Sequence, residues 1–381
     1  MLKTWIRRIH LALAAFAGLL LLNLSLSGAL LLYAKDIQAI VNPDYWRLPT
    51  NSGQQQSHLS LSTLTKQIES ATNIKIKFIQ QETAQDKPWL VSLTSGEYLN
   101  INPYSGDILL KHNYYDTFYG FVMAWHRWLL YQTESSNKPF KVWMSIASLS
   151  LIIEVILGCF LWLKPKHRLK RLKIKWRSKP KTLFYQLHTT LGVFAAIPLI
   201  LIAFSGMAFH WKPATKQIVE WLTFGQVETA KFDNNKANKA KVESNGSYKY
   251  TNDELDRTYQ VGKHALVGSL VYRVYLPQNS GEPLKLRLKM PDESHAYSWS
   301  WVDIPSGNVL STFDASKASI ATQVWHFKYK FHIGEFLGWP VKVLWLFLSL
   351  LPSFFVISGC YLLVKRKKLF TKTLSLTQNA V

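Results

Sequence analysis

Four stretches of the chain are nearly unbroken apolar runs, at 11–33, 143–163, 183–209 and 341–364. Each has about 20 residues or more, and a helix rising 1.5 Å per residue crosses a hydrocarbon core about 30 Å thick at that length. The pattern predicts four transmembrane helices. Between the first and second runs, and again between the third and fourth, lie long segments with a different rhythm. Residues 60–72 place Leu61, Leu64, Ile68 and Ala71 at helical spacing, and 74–79, 89–94, 98–102 and 107–110 then alternate apolar with polar. A second helix pattern at 251–265 precedes alternating segments at 270–276, 284–289, 298–304 and 308–312. Period-two alternation broken by Ser-Gly turns predicts small antiparallel sheets, and a helix packed on each makes two α+β domains. The polar, Asn- and Lys-rich stretch 226–247 reads as a linker.

The formal charge of +22 suggests a nucleic-acid binder until its location is read. Lys3, Arg7 and Arg8 precede the first run, ten Lys/Arg fill 164–182, and five follow the fourth run, with no acid among them. Lys/Arg-rich short segments stay in the cytoplasm. The expected layout is therefore 1–10 inside, spans at 11–33 and 143–163, a basic inside loop at 164–182, spans at 183–209 and 341–364, and an inside tail at 365–381. Residues 34–142 and 210–340 fall on the opposite side. The basic charge then sets topology against membrane lipid, and no nucleic acid is expected. The first run is too long for a secretion signal and no small-x-small cleavage site follows it, so it is read as an uncleaved anchor. Trp125, Trp128, Trp143, Trp211, Trp339 and Trp345 fall near the span ends on the opposite side, as interfacial tryptophan does. The two cysteines, Cys159 and Cys360, give no disulfide framework, and the absence of Cys-x-x-Cys-His excludes covalent haem attachment.

Internal similarity sharpens the layout. At an offset of 178, His10 falls on His188 and Ser27-Gly28 on Ser205-Gly206; at 201, Gly158-Cys159 falls on Gly359-Cys360. The segment 101–109 also parallels 302–310 at 201. Three matches in one order predict a duplicated helix–domain–helix unit with its axis along the membrane normal.

No nucleophile motif, phosphate loop or compact metal cluster is visible. What remains is histidine at span boundaries: His10 and His188 at the inner ends, and His126, His210 and His332 at the other, with His326 just ahead of His332. Ionisable groups at membrane depth are costly and usually functional, and a neutral imidazole is the usual axial ligand of haem iron. Pseudo-symmetry pairs His10 with His188 and His126 with His332. Gly18, Gly28, Gly192 and Gly206 are placed where a flat macrocycle needs close approach. Each histidine taken alone also fits a hydrogen-bonded boundary residue, and each glycine fits helix packing. Glu154, in mid-span, marks a proton route or a polar partner; its counterpart at 201 is Phe355.

Arg8-Ile9-His10, Trp125-His126-Arg127-Trp128-Leu129, Leu187-His188-Thr189-Thr190-Leu191-Gly192 and Phe331-His332-Ile333-Gly334 with Gly338 together resemble the PepSY-associated transmembrane proteins. That group includes iron-regulated membrane proteins and ferric-siderophore reductases of the bacterial inner membrane. The turn Asp303-Ile304-Pro305-Ser306-Gly307 resembles the signature turn of a PepSY module. The resemblance implies two PepSY-like periplasmic domains on four membrane helices, two haem b groups, and electron transfer to a ferric siderophore or Fe(III) chelate held between the domains. Carried over, the axial ligands are His10, His126, His188 and His332, with His326 (matching His126 at an offset of 200) and His210 as alternates. Tyr114, Tyr115, Lys328 and Lys330 are the basic and aromatic residues that would touch an anionic chelate. No flavodoxin- or reductase-like extension follows the fourth span, so the expected donor is a quinol or a separate cytoplasmic reductase. Two rivals from other classes are a cofactor-free PepSY anchor that binds peptides or inhibits a protease, and a transporter subunit using Glu154 with Pro198 and Pro352.

Overall fold

The computed structural model describes residues 1–49, 57–163, 168–232 and 250–378, with side chains to 366. The start of the basic loop (164–167) and most of the expected linker (233–247) lie outside the described residues. The elements used below are α1 (Leu2–Leu31), α2 (Ala34–Val41), α3 (Pro43–Trp46), α4 (Leu61–Thr72), β1 (Ile76–Gln80), β2 (Trp89–Leu93), β3 (Tyr98–Ile101) and β4 (Ile108–His112). They continue with α5 (Phe118–Trp128), α6 (Phe140–Leu163), α7 (Pro180–Phe194), α8 (Ala196–Met207) and α9 (Lys212–Thr223). The last are α10 (Asn252–His264), β5 (Leu270–Tyr275), β6 (Leu284–Lys289), β7 (Ser298–Val302), β8 (Val309–Phe313), α11 (Ile320–His332) and α12 (Trp339–Gln378). The chain divides into two compact units.

The first unit comprises residues 1–33, 122–217 and 328–381 and contains the apolar helices. Among the described residues three helices are long and apolar enough to cross a membrane: α1, α6 and the Trp339–Arg366 part of α12. A fourth apolar segment is the pair α7–α8, bent by 66°. The sequence predicts one straight helix there; the structure breaks it at Ala195. The cause is local. Pro198 has no N–H for the carbonyl of Phe194, four residues back, and its ring crowds that oxygen. Pro352 lies inside α12 without ending it. Helix α1 packs on α6 and α12, α6 on α7 and α8, and α12 on α7. Small residues set these contacts: Ala17 and Ala147 are fully buried among Leu20, Leu21, Leu24 and Leu151, which lets the backbones approach closely.

The second unit comprises residues 34–121 and 218–327. Its eight strands form one antiparallel sheet in the order β4-β3-β2-β1-β5-β6-β7-β8. The sequence suggests two domains with a sheet each. Instead, the two four-stranded meanders join through β1 and β5, where Phe78 faces Tyr275, Ile79 faces Val274 and Gln80 faces Arg273. Each meander would otherwise expose an unpaired edge strand, and this pairing satisfies both edges at once. Helices α4 and α10 pack together. They share one core with the sheet, built from Leu64, Ile68, Val91, Leu99, Leu255, Val274, Leu286 and their neighbours. Both helices start from side-chain caps. Ser60 accepts from the Thr63 N–H, and Thr251 forms a capping box with Glu254. The turns into β4 and β8 are alike: Gly106 (φ +82°) donates to the Asn102 carbonyl, and Gly307 (φ +70°) to that of Asp303. Positive φ at that position favours glycine.

Candidate functional site

The histidines of the helical unit come together as two pairs. His10, two turns into α1, meets His188 of α7, with ring centroids 6.5 Å apart and planes at 83°. His126 of α5 meets His332 of α11 at 6.3 Å and 49°. Every one of the four rings lies against a glycine of a neighbouring helix. A Cβ placed on Gly28 would lie 3.2 Å from His126 Cε1, and one on Gly206 would lie 3.2 Å from His332 Cε1. The other pair is looser: a Cβ on Gly158 would lie 3.9 Å from His10 Cε1, and one on Gly359 would lie 4.0 Å from His188 Cε1. Sequence reasoning named Gly28 and Gly206 for close approach. It also named Gly18 and Gly192, but Gly18 faces Val356 and a Cβ on Gly192 would meet nothing within 4 Å.

Serine hydroxyls hold three of the four rings through Nδ1. Ser27 Oγ is 3.0 Å from His126 Nδ1, Ser205 Oγ is 3.0 Å from His332 Nδ1, and Ser358 Oγ is 2.7 Å from His188 Nδ1. The fourth, His10 Nδ1, meets no partner at hydrogen-bond distance among the described residues, and the acceptor that acts on its ring is the Glu154 backbone carbonyl rather than a serine. Glu154, 9% exposed, also leaves Oε1 buried and unpartnered, one turn of α6 from Gly158. No ring Nε2 of the four makes a hydrogen bond among the described residues. Burial holds the His126 and His332 imidazoles well below the ordinary histidine range, so both are neutral. Phe209 packs edge-on to His332 and Phe355 to His188. Among the described residues no group of three or more His, Cys, Asp or Glu is arranged for a metal ion; the donor sets are pairs.

The alternates are elsewhere. His326 belongs to the sheet unit, where its ring stacks on Tyr297 at 4.0 Å and 10° and its carbonyl accepts from the Tyr297 hydroxyl. His210 is exposed and 3.3 Å from Ser145 Oγ. Of the four residues named for contact with a chelate, Tyr114 and Tyr115 belong to the sheet unit, with rings 5.1 Å apart, and Lys328 and Lys330 to the helical unit. Tyr114 packs among Tyr98, Tyr115 and Tyr119. Lys330 pairs with Glu335 at 2.8 Å, and burial beside Lys212 pushes Lys328 down to about 8.

Sequence reasoning missed an aromatic face on the sheet. On the side away from α10, Phe78, Tyr275, Trp299, Trp301 and Phe232 follow one another at 5.5–5.9 Å. Arg273 lies over Phe78 at 4.1 Å. A recess of about 540 Å³ opens at the Trp299–Trp301 end, lined also by Tyr297, Phe313, Trp325 and Lys285. Its signal was available: Lys285 and Arg287 alternate with the core leucines of β6, and the tryptophans alternate with the core serines of β7.

Apolar helices long enough to span a bilayer, together with a separate sheet unit, define a membrane protein with an extramembrane β domain. The chain belongs to the family described as PepSY-associated TM region, whose match covers residues 7–366. A search of curated proteins finds no match.

Proposed function

We propose that this protein is a b-type haem protein of the bacterial inner membrane that passes electrons across it to reduce ferric iron held by a siderophore or similar chelate. The observation that carries the reading is the spacing of the two histidine pairs. With a metal–nitrogen bond of about 2.0 Å on each side, two imidazoles on opposite faces of one metal have centroids roughly 6.3 Å apart. The observed 6.5 and 6.3 Å fit one iron per pair. Two imidazoles alone would not complete the coordination of an iron, so a macrocycle would have to supply the rest.

Under this reading His10 and His188 hold one haem b, and His126 and His332 the other. A bound haem b supplies reversible one-electron storage. The protein's part is to fix the imidazoles, exclude water and keep the two sites on one set of packed helices. The basic segments keep both termini and the 164–182 connection in the cytoplasm, which puts the sheet unit in the periplasm. A duplicated helix–domain–helix unit accounts for the matched parts: Ser27-Gly28 with Ser205-Gly206, Gly158 with Gly359, and one meander with the other. The donor is a quinol or a cytoplasmic reductase. The recess at Trp299 and Trp301, with Lys285 and Glu228 both in its lining, suits a chelate with aromatic rings.

The test is direct. Full-length protein purified from haem-supplied cells should show a Soret band and about two haems per chain by pyridine haemochrome assay. A colourless protein would end this reading in favour of the cofactor-free anchor or the transporter subunit.

A further inference from the structure

Three serines share an arrangement that burial and packing alone do not require. A hydroxyl has one proton to donate. In each case an acceptor for that proton lies on the serine's own helix, and we assign the proton to it: Ser27 to the Asn23 carbonyl, Ser205 to that of Ile202 at 2.8 Å, and Ser358 to that of Phe355 at 3.2 Å. The oxygen of each serine is then available to the facing histidine only as an acceptor. The ring nitrogen against it must therefore be the protonated one. For His126, His332 and His188 that nitrogen is Nδ1. In a neutral imidazole the other nitrogen, Nε2, then keeps its lone pair.

We propose that Ser27, Ser205 and Ser358 are positioning residues that lock their histidines in the Nδ1–H tautomer, so that a bare Nε2 is presented as the ligand nitrogen. The ligand role rests on the function proposed above; the tautomer assignment does not. Each serine sits directly before a glycine that faces a histidine: Ser27-Gly28, Ser205-Gly206 and Ser358-Gly359. A two-residue device of this kind orients and clears space in one step. At the fourth position the pair is Leu157-Gly158, and there the imidazole it faces, His10, has no serine at its Nδ1, which meets no partner at hydrogen-bond distance among the described residues. The device is thus present three times and broken once, and the nitrogen without a serine occurs where it is broken. A hydrogen bond at the far nitrogen also raises a ligand's basicity. His10 is the least supported of the four donors.

The experiment has two readouts. First, ¹⁵N-histidine-labelled full-length protein in nanodiscs, freed of any haem, reports tautomers through its imidazole nitrogen shifts. His126, His332 and His188 should be in the Nδ1–H form. Ser358→Ala should return His188 to a tautomer mixture. Ser27→Ala and Ser205→Ala should do so less completely for their rings, because the Leu24 carbonyl also faces His126 and the Ile202 carbonyl is 3.2 Å from His332 Nδ1. Second, in haem-loaded protein each alanine variant should keep its haem and raise the reduction potential of one centre while the other stays put. Leu157→Ser should lower the potential of the His10/His188 centre. Wild type without haem would sink the functional reading but leave the tautomer readout decisive. Wild type with haem, and variants with unmoved nitrogen shifts and potentials, would overturn the serine proposal alone.

Discussion

The two histidine pairs use the same kinds of residue and are not equally finished. At His126/His332 both Nδ1 atoms are held by serine and both rings press on glycine at 3.2 Å. At His10/His188 one Nδ1 is held by serine and one is not, the glycines stand off at 3.9–4.0 Å, and Glu154 Oε1, buried without a partner among the described residues, lies one turn from Gly158. One site is closed around its imidazoles. The other has slack and two buried polar atoms without partners, each of which carries a cost of order 1–3 kcal/mol. Such a site is the easier one to perturb, to protonate, or to reach from a partner.

Four sets of substitutions break or sharpen that contrast. The largest effect is expected from the proposed ligands: if the protein binds haem as proposed, His188→Ala, or His332→Ala, should each remove about half of it, read from the Soret absorbance per chain. Retention of all of it would show the pairing to be wrong. Next, Gly28→Ala and Gly206→Ala should each lower the thermal stability of the protein by about 1–3 kcal/mol and displace the facing ring, because a Cβ there is tighter than ordinary contact. Gly158→Ala and Gly359→Ala meet their histidines at ordinary contact distance and should be tolerated in the same melting assay. Equal effects at both ends would erase the difference. Third, Glu154→Gln keeps the shape, removes a chargeable group with no partner, and should shift stability by no more than about 1 kcal/mol while leaving the His126/His332 spectrum unchanged. Smallest, Trp299→Ala in the recess should leave both haem spectra alone and weaken binding of a ferric catecholate several-fold, followed by quenching of tryptophan emission.

The membrane helices and strands were legible because their signals are local: long apolar runs, alternation, and Gly at turns. The pairing of β1 with β5 was not, since strands nearly two hundred residues apart leave no mark in either segment. The choice between His326 and His332 shows a subtler limit. Alignment by a fixed offset favours His326, yet His332 is the residue that reaches Ser205 and Gly206. The connection from α5 to α6 covers 129–139, whereas that from α11 to α12 covers only 333–338. The register therefore slips between histidine and span. The serines were visible only as landmarks of similarity, because a serine in an apolar helix reads as a small packing residue until its hydroxyl can be traced to a ring. Ser358 left no such mark, since Leu157 occupies the matching place.

The break at Ala195 bears on how the protein is assembled. Helix α8 has 12 residues, about 18 Å of rise, and cannot cross a hydrocarbon core of about 30 Å unaided. Its partner α7 begins among lysines, and the carbonyl freed by Pro198 is costly to leave facing lipid. The third span thus has the weakest claim on the bilayer at the moment it is made. It gains a further neighbour only when α12, made after it, packs on α7. Because His188 meets Ser358 and Gly359 of α12, the His10/His188 site closes only once α12 has packed, whereas every contact of the His126/His332 pair described above comes from residues ahead of it. Chains truncated ahead of α12 should accordingly be caught by membrane quality control.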